Sequence, residues 1–252
     1  MDTKAYLERI NYSGPLEPTA ETLRRLQLAH LLAVPFENLS IRAGEPIVLD
    51  DEALFDKVVA RRRGGFCYEL NGLFAALLRA LGFEVEMLSA AVMGRSGEFG
   101  PEFDHMTLLV NAGERWLADV GFGDSFVGPL LLDERGEQVQ GAHAYRIEED
   151  GERLTLLRRD EGDGWVAQYR FGLTPHVYDD YAEMCHYQQT SPESHFTQGR
   201  VCTRLTTGGG RVTVSEMRLI TTDGDGRHER ELAGREEYEE ALREHFGVVM
   251  RG

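Results

Sequence analysis

The spacing of the apolar residues changes near residue 84, and this change limits the folds open to the chain. Before it, apolar residues recur every three to four positions, which predicts amphipathic helices. The predicted helices cover residues 19–33, 51–62 and 67–81. Thr19 and Asp50 are suitable N-cap residues, and Gly82 is a suitable terminator of the third helix. The first part of the chain is therefore predicted to be helical.

Beyond residue 84, apolar and polar residues alternate in short runs that are separated by turns containing Gly and Asp. Alternation with a period of two is typical of half-buried strands. The runs are EVEMLSAAV, HMTLLV, RWLADV, RLTLLRR and WVAQYRF. After them, strand-like RVTVSEMRLI and helical EEYEEALREHF complete the chain. The sequence thus predicts helices first, then a mainly antiparallel sheet, then a mixed segment.

Composition and charge exclude several classes of partner. The chain has 252 residues, 42% of them hydrophobic, and a formal net charge of -16. An acidic protein without clustered Lys and Arg is not expected to bind nucleic acid or an anionic membrane. The sequence has neither an apolar run long enough to span a membrane nor the apolar stretch of a signal peptide. We therefore expect a cytoplasmic protein with no membrane partner.

The three cysteines do not predict disulfides or a metal site. Cys67, Cys185 and Cys202 are too few and too widely spaced for a disulfide framework, and none belongs to a CxxC pair. Cys185-His186 and His195 match no zinc-ligand spacing. We expect no metal and at least one free thiol.

Cys67 is the strongest candidate nucleophile. Gly64 and Gly65 interrupt the preceding helix, so that Cys67 begins the next one. The free N–H groups and the dipole of a helix N-terminus favour a thiolate, and the arginines at 61–63 are expected to add positive potential. The alternative is that Cys67 is a small buried core residue, as most free cysteines are.

His105 and Asp119 are the candidate base and its partner. They lie in FDHMTLLVNAGERWLADVGFG, which predicts two strands joined by a tight turn. If the loop is the three residues 111–113, His105 falls directly opposite Asp119 on one face, and its other ring nitrogen can reach Cys67. A two-residue loop would put the two side chains on opposite faces. A histidine exposed on a strand surface is the alternative for His105.

Four ordered sequence blocks resemble those of the arylamine N-acetyltransferases. They are Pro35–Leu39 (PFENL), Arg63–Asn71 (RGGFCYELN), Asp119–Gly123 (DVGFG) and Ser194–Phe196 (SHF). The chain departs from the family's pattern at Asp104, because a smaller or hydroxyl-bearing residue is expected before the histidine. No block beyond residue 200 matches, so the resemblance leaves most contacts with coenzyme A open.

The resemblance implies an α+β fold with three parts. They are an N-terminal helical domain carrying Cys67 (1–82), a central antiparallel β-barrel carrying His105 and Asp119 (83–190), and a C-terminal α/β lid domain (191–252). It also implies a catalytic Cys-His-Asp triad of the kind found in papain-like proteases and transglutaminases.

The resemblance further implies a ping-pong acetyl transfer, in which Cys67 takes acetyl from acetyl-CoA as a thioester. An arylamine, arylhydroxylamine or hydrazine nitrogen then receives it. The family's acceptor pocket corresponds to Phe36, Phe122 and Phe196, which could equally be core residues. Gly121 and Gly123 could allow the backbone to approach CoA.

Three alternatives remain open at this stage. The same triad could serve a cysteine hydrolase or a transglutaminase-like enzyme, in which water or another amine accepts the acyl group. An amide synthase that closes macrolactams also resembles this family. A binding module without catalysis is disfavoured, because all three triad positions are occupied.

Overall fold

The three predicted helices are present in the computed structural model, which describes residues 1–250. The first five helices are α1 (Thr3–Arg9), α2 (Ala20–Ala33), α3 (Leu39–Ala43), α4 (Asp51–Phe55), which continues as one π-helical turn (Asp56–Ala60), and α5 (Cys67–Ala80). Thr19 and Asp50 cap α2 and α4 through their side chains, as predicted. Gly82, with φ of +91°, follows α5 in the left-handed conformation that favours glycine. The sequence argument missed α1 and α3.

Helix α5 lies at the centre of the helical core. Leu70, Leu73, Phe74, Leu77 and Leu78 are fully buried along it. They pack with residues of α1, α2 and the π-helical turn in one apolar cluster. None of the helices within residues 1–250 is long and apolar enough to cross a membrane.

An antiparallel eight-stranded sheet follows. Its strands are β2 (Glu84–Val92), β3 (His105–Asn111), β4 (Arg115–Ala118), β5 (Leu130–Leu131), β6 (Gln138–Gln140), β7 (His143–Asp150), β8 (Arg153–Asp160) and β9 (Val166–His176). They run in the order β5-β4-β3-β2-β9-β8-β7-β6. The Gln138 side chain on one edge exchanges hydrogen bonds of 2.8 and 3.0 Å with the backbone of Leu131 on the other. The sheet is therefore a nearly closed barrel.

The predicted register of the β3–β4 hairpin is wrong. Val110 pairs with Trp116, not with Glu114, because the three-residue loop is 112–114 with Gly113 at its centre. Extending the ladder puts Asp119 across from Thr107, one diagonal step from His105. The shift between the predicted and the observed pairing is an even number of residues, so the side chains of His105 and Asp119 still lie on the same face of the sheet.

A second sheet holds five antiparallel strands. They are β1 (Phe36–Glu37), β10 (Val201–Leu205), β11 (Arg211–Ser215), β12 (Arg218–Asp223) and β13 (Gly226–Glu231). Helix α8 (Arg235–Phe246) packs its apolar face on this sheet, which gives the predicted C-terminal α/β lobe. The early strand β1 pairs with β10 and so joins the PFENL block to this lobe.

Two further helices, α6 (Tyr178–Thr190) and α7 (His195–Gln198), connect the sheets. The sequence argument missed α6 because its buried residues are few: Tyr181, Cys185 and Gln188. Tyr181 and Cys185 pack into the helical core rather than the barrel. The boundaries proposed at 82 and 190 stay a prediction, since contacts such as these cross them.

Candidate active site

Buried hydrogen bonds hold Cys67 at the N-terminus of α5. Its side chain is only 3% exposed. The Glu69 carboxylate accepts a hydrogen bond from the backbone N–H of Phe66 (3.2 Å), and Lys57 donates to the same carboxylate (2.7 Å). A side chain that caps a helix in this way sets the direction in which the helix begins. The position of the thiol is therefore determined by the local fold.

His105 and Asp119 form a buried pair. His105 Nε2 lies 2.7 Å from Asp119 Oδ2, and both residues are 2% exposed. Tyr169 donates to the same carboxylate oxygen from 3.2 Å. The Asn71 amide and the Gly121 N–H donate to Oδ1, each from 2.9 Å. The predicted pairing of His105 with Asp119 is thus present in the structure.

The environment of Asp119 keeps its carboxylate charged. Burial opposes ionisation, but His105, Asn71 and the Gly121 N–H outweigh it and hold the pKa of Asp119 below its usual range. An ionised Oδ2 accepts a hydrogen bond from Nε2–H of His105. The opposite ring nitrogen, Nδ1, is then the one without the proton.

Asn71 connects the helix to the barrel and was missed as a site residue. It lies one turn after Cys67, and its amide also donates to the Met106 carbonyl (2.6 Å) and accepts from the Val120 N–H (2.8 Å). The available signal was its place in the RGGFCYELN block, on the same side of the helix as Cys67.

Replacing Asn71 with alanine should remove the side-chain partner of the Met106 carbonyl and of the Val120 N–H, and one of the two donors to Asp119 Oδ1. We expect a loss of about 2 kcal/mol or more in the free energy of unfolding, because each unsatisfied buried group costs about 1–3 kcal/mol. Urea denaturation measures this. The matched control is Asn111→Ala, since the exposed Asn111 side chain bonds only Glu84 and should cost a few tenths of a kcal/mol. Equal losses in the two variants would contradict a linking role for Asn71.

The surroundings of the Cys67 thiol include groups that favour and groups that oppose its ionisation. Burial raises its pKa, and the carboxylates of Asp104 and Asp119 raise it further, whereas a hydrogen bond from the Met106 amide opposes them. Burial and these two carboxylates therefore oppose the effect of the helix N-terminus, which the sequence predicted to favour a thiolate. A base that accepts the thiol proton, the role predicted for His105, would favour ionisation of Cys67.

Two of the three arginines before Cys67 are paired with carboxylates, which reduces the positive potential that the sequence predicted from them. Arg63 pairs with the buried Glu37 at 2.9 Å, and Arg61 pairs with Asp56 at 2.9 Å. These carboxylates neutralise the charge of two of the three arginines. The Arg63–Glu37 pair joins the loop before α5 to β1.

The three phenylalanines predicted for the acceptor pocket lie around the site. The Phe122 ring centroid is 5.2 Å from that of His105. Phe36 and Phe196 contact each other at 6.2 Å, and Phe196 lies 5.4 Å from Phe66. Phe36, Phe122 and Phe196 are each partly exposed, as residues that line a pocket would be. Their contact with an acceptor remains a prediction.

The two glycines predicted to approach CoA have local structural roles. A methyl group at Gly121 would lie 2.8 Å from Cys67 Cα, so glycine allows the barrel to approach the start of α5. Gly123 has φ of +91° and faces the Phe36 ring. Their contact with CoA stays a prediction.

The remaining cysteines and histidines do not form a second centre. Cys185 and Cys202 are buried free thiols. Across residues 1–250, no group of three or more His, Cys, Asp or Glu side chains is arranged to hold a metal ion.

Comparison with known proteins agrees with this architecture. A family model described as N-acetyltransferase matches residues 19–252, which defines the class of the protein. An arylamine N-acetyltransferase of Escherichia coli K12 is 32% identical over 246 residues, which cover 96% of this chain and 87% of the relative. The chain belongs to the arylamine N-acetyltransferase family.

Solved structures lead to the same family. The arylamine N-acetyltransferase of Salmonella typhimurium superposes with a TM-score of 0.92 at 31% identity, covering 99% of this chain and 92% of that one. The Mycobacterium marinum enzyme in complex with CoA superposes with a TM-score of 0.90 at 32% identity, covering 98% and 93%.

Proposed function

We propose that this protein transfers acetyl from acetyl-CoA to an arylamine, arylhydroxylamine or hydrazine nitrogen by a ping-pong mechanism. Cys67 is the nucleophile, His105 the general base, and Asp119 orients and stabilises His105. The observation that carries the proposal is the 2.7 Å His105–Asp119 pair, joined through Asn71 to the helix that begins with Cys67. The family relationship supports the same assignment.

In the first half-reaction, His105 Nδ1 accepts the thiol proton of Cys67. The thiolate attacks the carbonyl carbon of acetyl-CoA, and the backbone N–H of Cys67 is a candidate donor to the resulting oxyanion. The bond between the carbonyl carbon and the CoA sulfur then breaks. The CoA sulfur takes the proton from the imidazolium and leaves as a thiol.

In the second half-reaction, the acceptor nitrogen attacks the thioester on Cys67. His105 accepts one N–H proton from the nitrogen and returns it to the departing Cys67 sulfur. Phe122 lies against His105, where a flat aromatic acceptor could stack. The acceptor class, the role of the phenylalanines and a cytoplasmic location with ready access to acetyl-CoA all belong to this proposal.

Intact-mass measurement after incubation with acetyl-CoA tests the mechanism. We expect one acetyl group on Cys67, which disappears when an arylamine is added and appears on the amine. A cysteine hydrolase would accumulate no acetyl-enzyme and form no acetylated amine. Absence of the adduct, or its location on Cys185, would contradict the proposal.

His105→Gln should suppress alkylation of Cys67 at neutral pH. Burial raises the pKa of this thiol, and without a base to accept its proton only a small fraction of Cys67 can ionise near pH 7. We expect iodoacetamide labelling to slow by about a hundredfold near pH 7 and to recover as the pH rises. The His105→Gln variant and the reference protein with His105 should both carry Cys185→Ala and Cys202→Ala, so that only Cys67 can react. Equal labelling rates would exclude His105 as the base.

A further inference from the structure

The residue before His105 is one position at which the sequence departs from the pattern expected from the family resemblance. Asp104 follows Phe103, whose backbone is in the left-handed region with φ of +62°. The Tyr68 hydroxyl donates to the Phe103 carbonyl (2.7 Å) and to the Asp104 carbonyl (3.3 Å). Tyr68 itself follows Cys67 in the sequence. The position of Asp104 is therefore set by the same helix that carries the thiol.

Hydrogen bonds also connect the Asp104 side chain to the pocket wall around Phe196. Gln188 on α6 donates to Asp104 Oδ1 from 2.7 Å and accepts from the Ser194 hydroxyl at 2.5 Å. Ser194 caps α7, which contains Phe196. The other carboxylate oxygen lies over Gly100, where a methyl group would come within 2.8 Å of it. Asp104 is partly exposed, so a ligand can reach it.

The negative charge of Asp104 acts directly on the reacting groups. Burial raises the pKa of Asp104, whereas His105, the Val92 amide, Gln188 and His195 oppose that rise. Asp104 also raises the pKa of the Cys67 thiol. Among residues 1–250, no Lys or Arg forms an ion pair with this carboxylate. A partly buried carboxylate without a cationic partner is costly, and such groups concentrate at functional sites.

We propose that Asp104 is a specificity-determining residue that selects acceptors by charge, rejecting arylamines that carry a carboxylate and favouring neutral or cationic ones. The inference rests on the proposed function, because it assigns a property of the same acceptor pocket. An acceptor must bring its nitrogen to the thioester on Cys67. Asp104 directly precedes His105 and is linked through Gln188 to the Ser194 cap of α7, so a ring placed between His105 and Phe196 would lie beside this carboxylate. A carboxylate on that ring meets a like charge in a partly desolvated site, where repulsion is weakly screened. The phosphates of acetyl-CoA avoid this repulsion, since the uncharged pantetheine arm separates them from the sulfur.

Three acceptors of nearly equal shape separate charge from fit: 4-aminobenzoate, 4-aminobenzamide and 4-aminobenzamidine. Acetyl-enzyme is formed first and then mixed with each acceptor in single turnovers, so that effects on acetylation cancel. In Asp104→Asn, we expect the rate of acetylation of 4-aminobenzoate, divided by that of 4-aminobenzamide, to rise about tenfold, equivalent to about 1.4 kcal/mol. The rate with 4-aminobenzamidine, divided by that with 4-aminobenzamide, should fall. Glu98→Gln is the matched control, because it removes one exposed negative charge from the same loop and should leave both ratios unchanged.

The outcomes distinguish this inference from the function on which it rests. Failure of the wild-type protein to form acetyl-enzyme would overturn the proposed function. Normal acetylation with ratios that do not change in Asp104→Asn would overturn only the role of Asp104. An equal change in Glu98→Gln would also overturn it, because the effect would then come from overall charge. If Asp104→Asn does not fold, Asp104→Ser carries the same test, since serine restores a hydroxyl-bearing residue at this position.

Discussion

Replacing Cys67 with alanine is expected to abolish acetyl transfer, with a loss on the order of 10⁶ in turnover, as for removal of the nucleophile in other triad enzymes. Alanine is a good helix former of similar size, so α5 should still begin at this residue. Acetyl-enzyme should be absent by intact mass, and arylamine acetylation should fall to background. Thermal unfolding of the same sample shows whether the loss is chemical or structural.

The other two cysteines provide the controls. Cys185 lies in the helical core and Cys202 beneath α8, and both are almost fully buried. Cys185→Ala and Cys202→Ala should therefore cost some stability and leave the rate within a few-fold of wild type. A folded Cys67→Ala variant that still turns over would eliminate the covalent mechanism. A large loss of rate in a folded Cys185→Ala or Cys202→Ala variant would mean that the nucleophile lies elsewhere.

Asp119→Asn is expected to lower the rate of acetyl-enzyme formation by about 10⁴, before any acceptor is added. The carbonyl of the new amide side chain would face the donors Asn71 and Gly121, which now bind Oδ1. The NH₂ group of that amide would then point at His105 Nε2, which must become an acceptor. The imidazole proton moves to Nδ1, and the nitrogen needed to accept the thiol proton is no longer free. Rapid-quench measurement of acetyl-enzyme gives the rate.

Stability against pH provides an independent check on Asp119. Its pKa is lowered in the folded protein, so its contribution is fully present above the unfolded pKa of about 3.9 and is lost as pH falls through the folded value. Asp119→Asn should remove this part of the acid destabilisation and leave the rest. If Asp119→Asn remains folded and forms acetyl-enzyme at nearly the wild-type rate, Asp119 is structural and the site reduces to Cys67 with His105.

Local pattern was sufficient for much of the fold. The cap at Thr19, the start of α5 at Cys67 and its end before Gly82 follow from propensities that act within a few residues. Helix α6 shows the limit, since its buried residues are too few for a clear apolar stripe. Its helical state depends on the core against which Tyr181 and Cys185 pack.

The hairpin that carries His105 shows the same limit at finer scale. The sequence indicated a three-residue loop around Gly113 but placed it one residue too early. The face of the sheet on which a side chain lies alternates from residue to residue along a strand, and the shared face of His105 and Asp119 was predicted correctly. The register depends on how both strands pack in the barrel, and so the pair is diagonal rather than directly opposite.

The sequence by itself was sufficient to predict the order of helices and strands, because that order follows from local residue spacing. Short motifs were sufficient to identify the family and to propose Cys67, His105 and Asp119 as candidate site residues. Only the tertiary structure decided which groups surround the thiol. A pKa depends on every charge and dipole within several ångströms, and those around Cys67 come from distant segments that carry Asp104, Met106 and Asp119. The same reason applies to Asn71, whose partners lie 35 to 49 residues away along the chain.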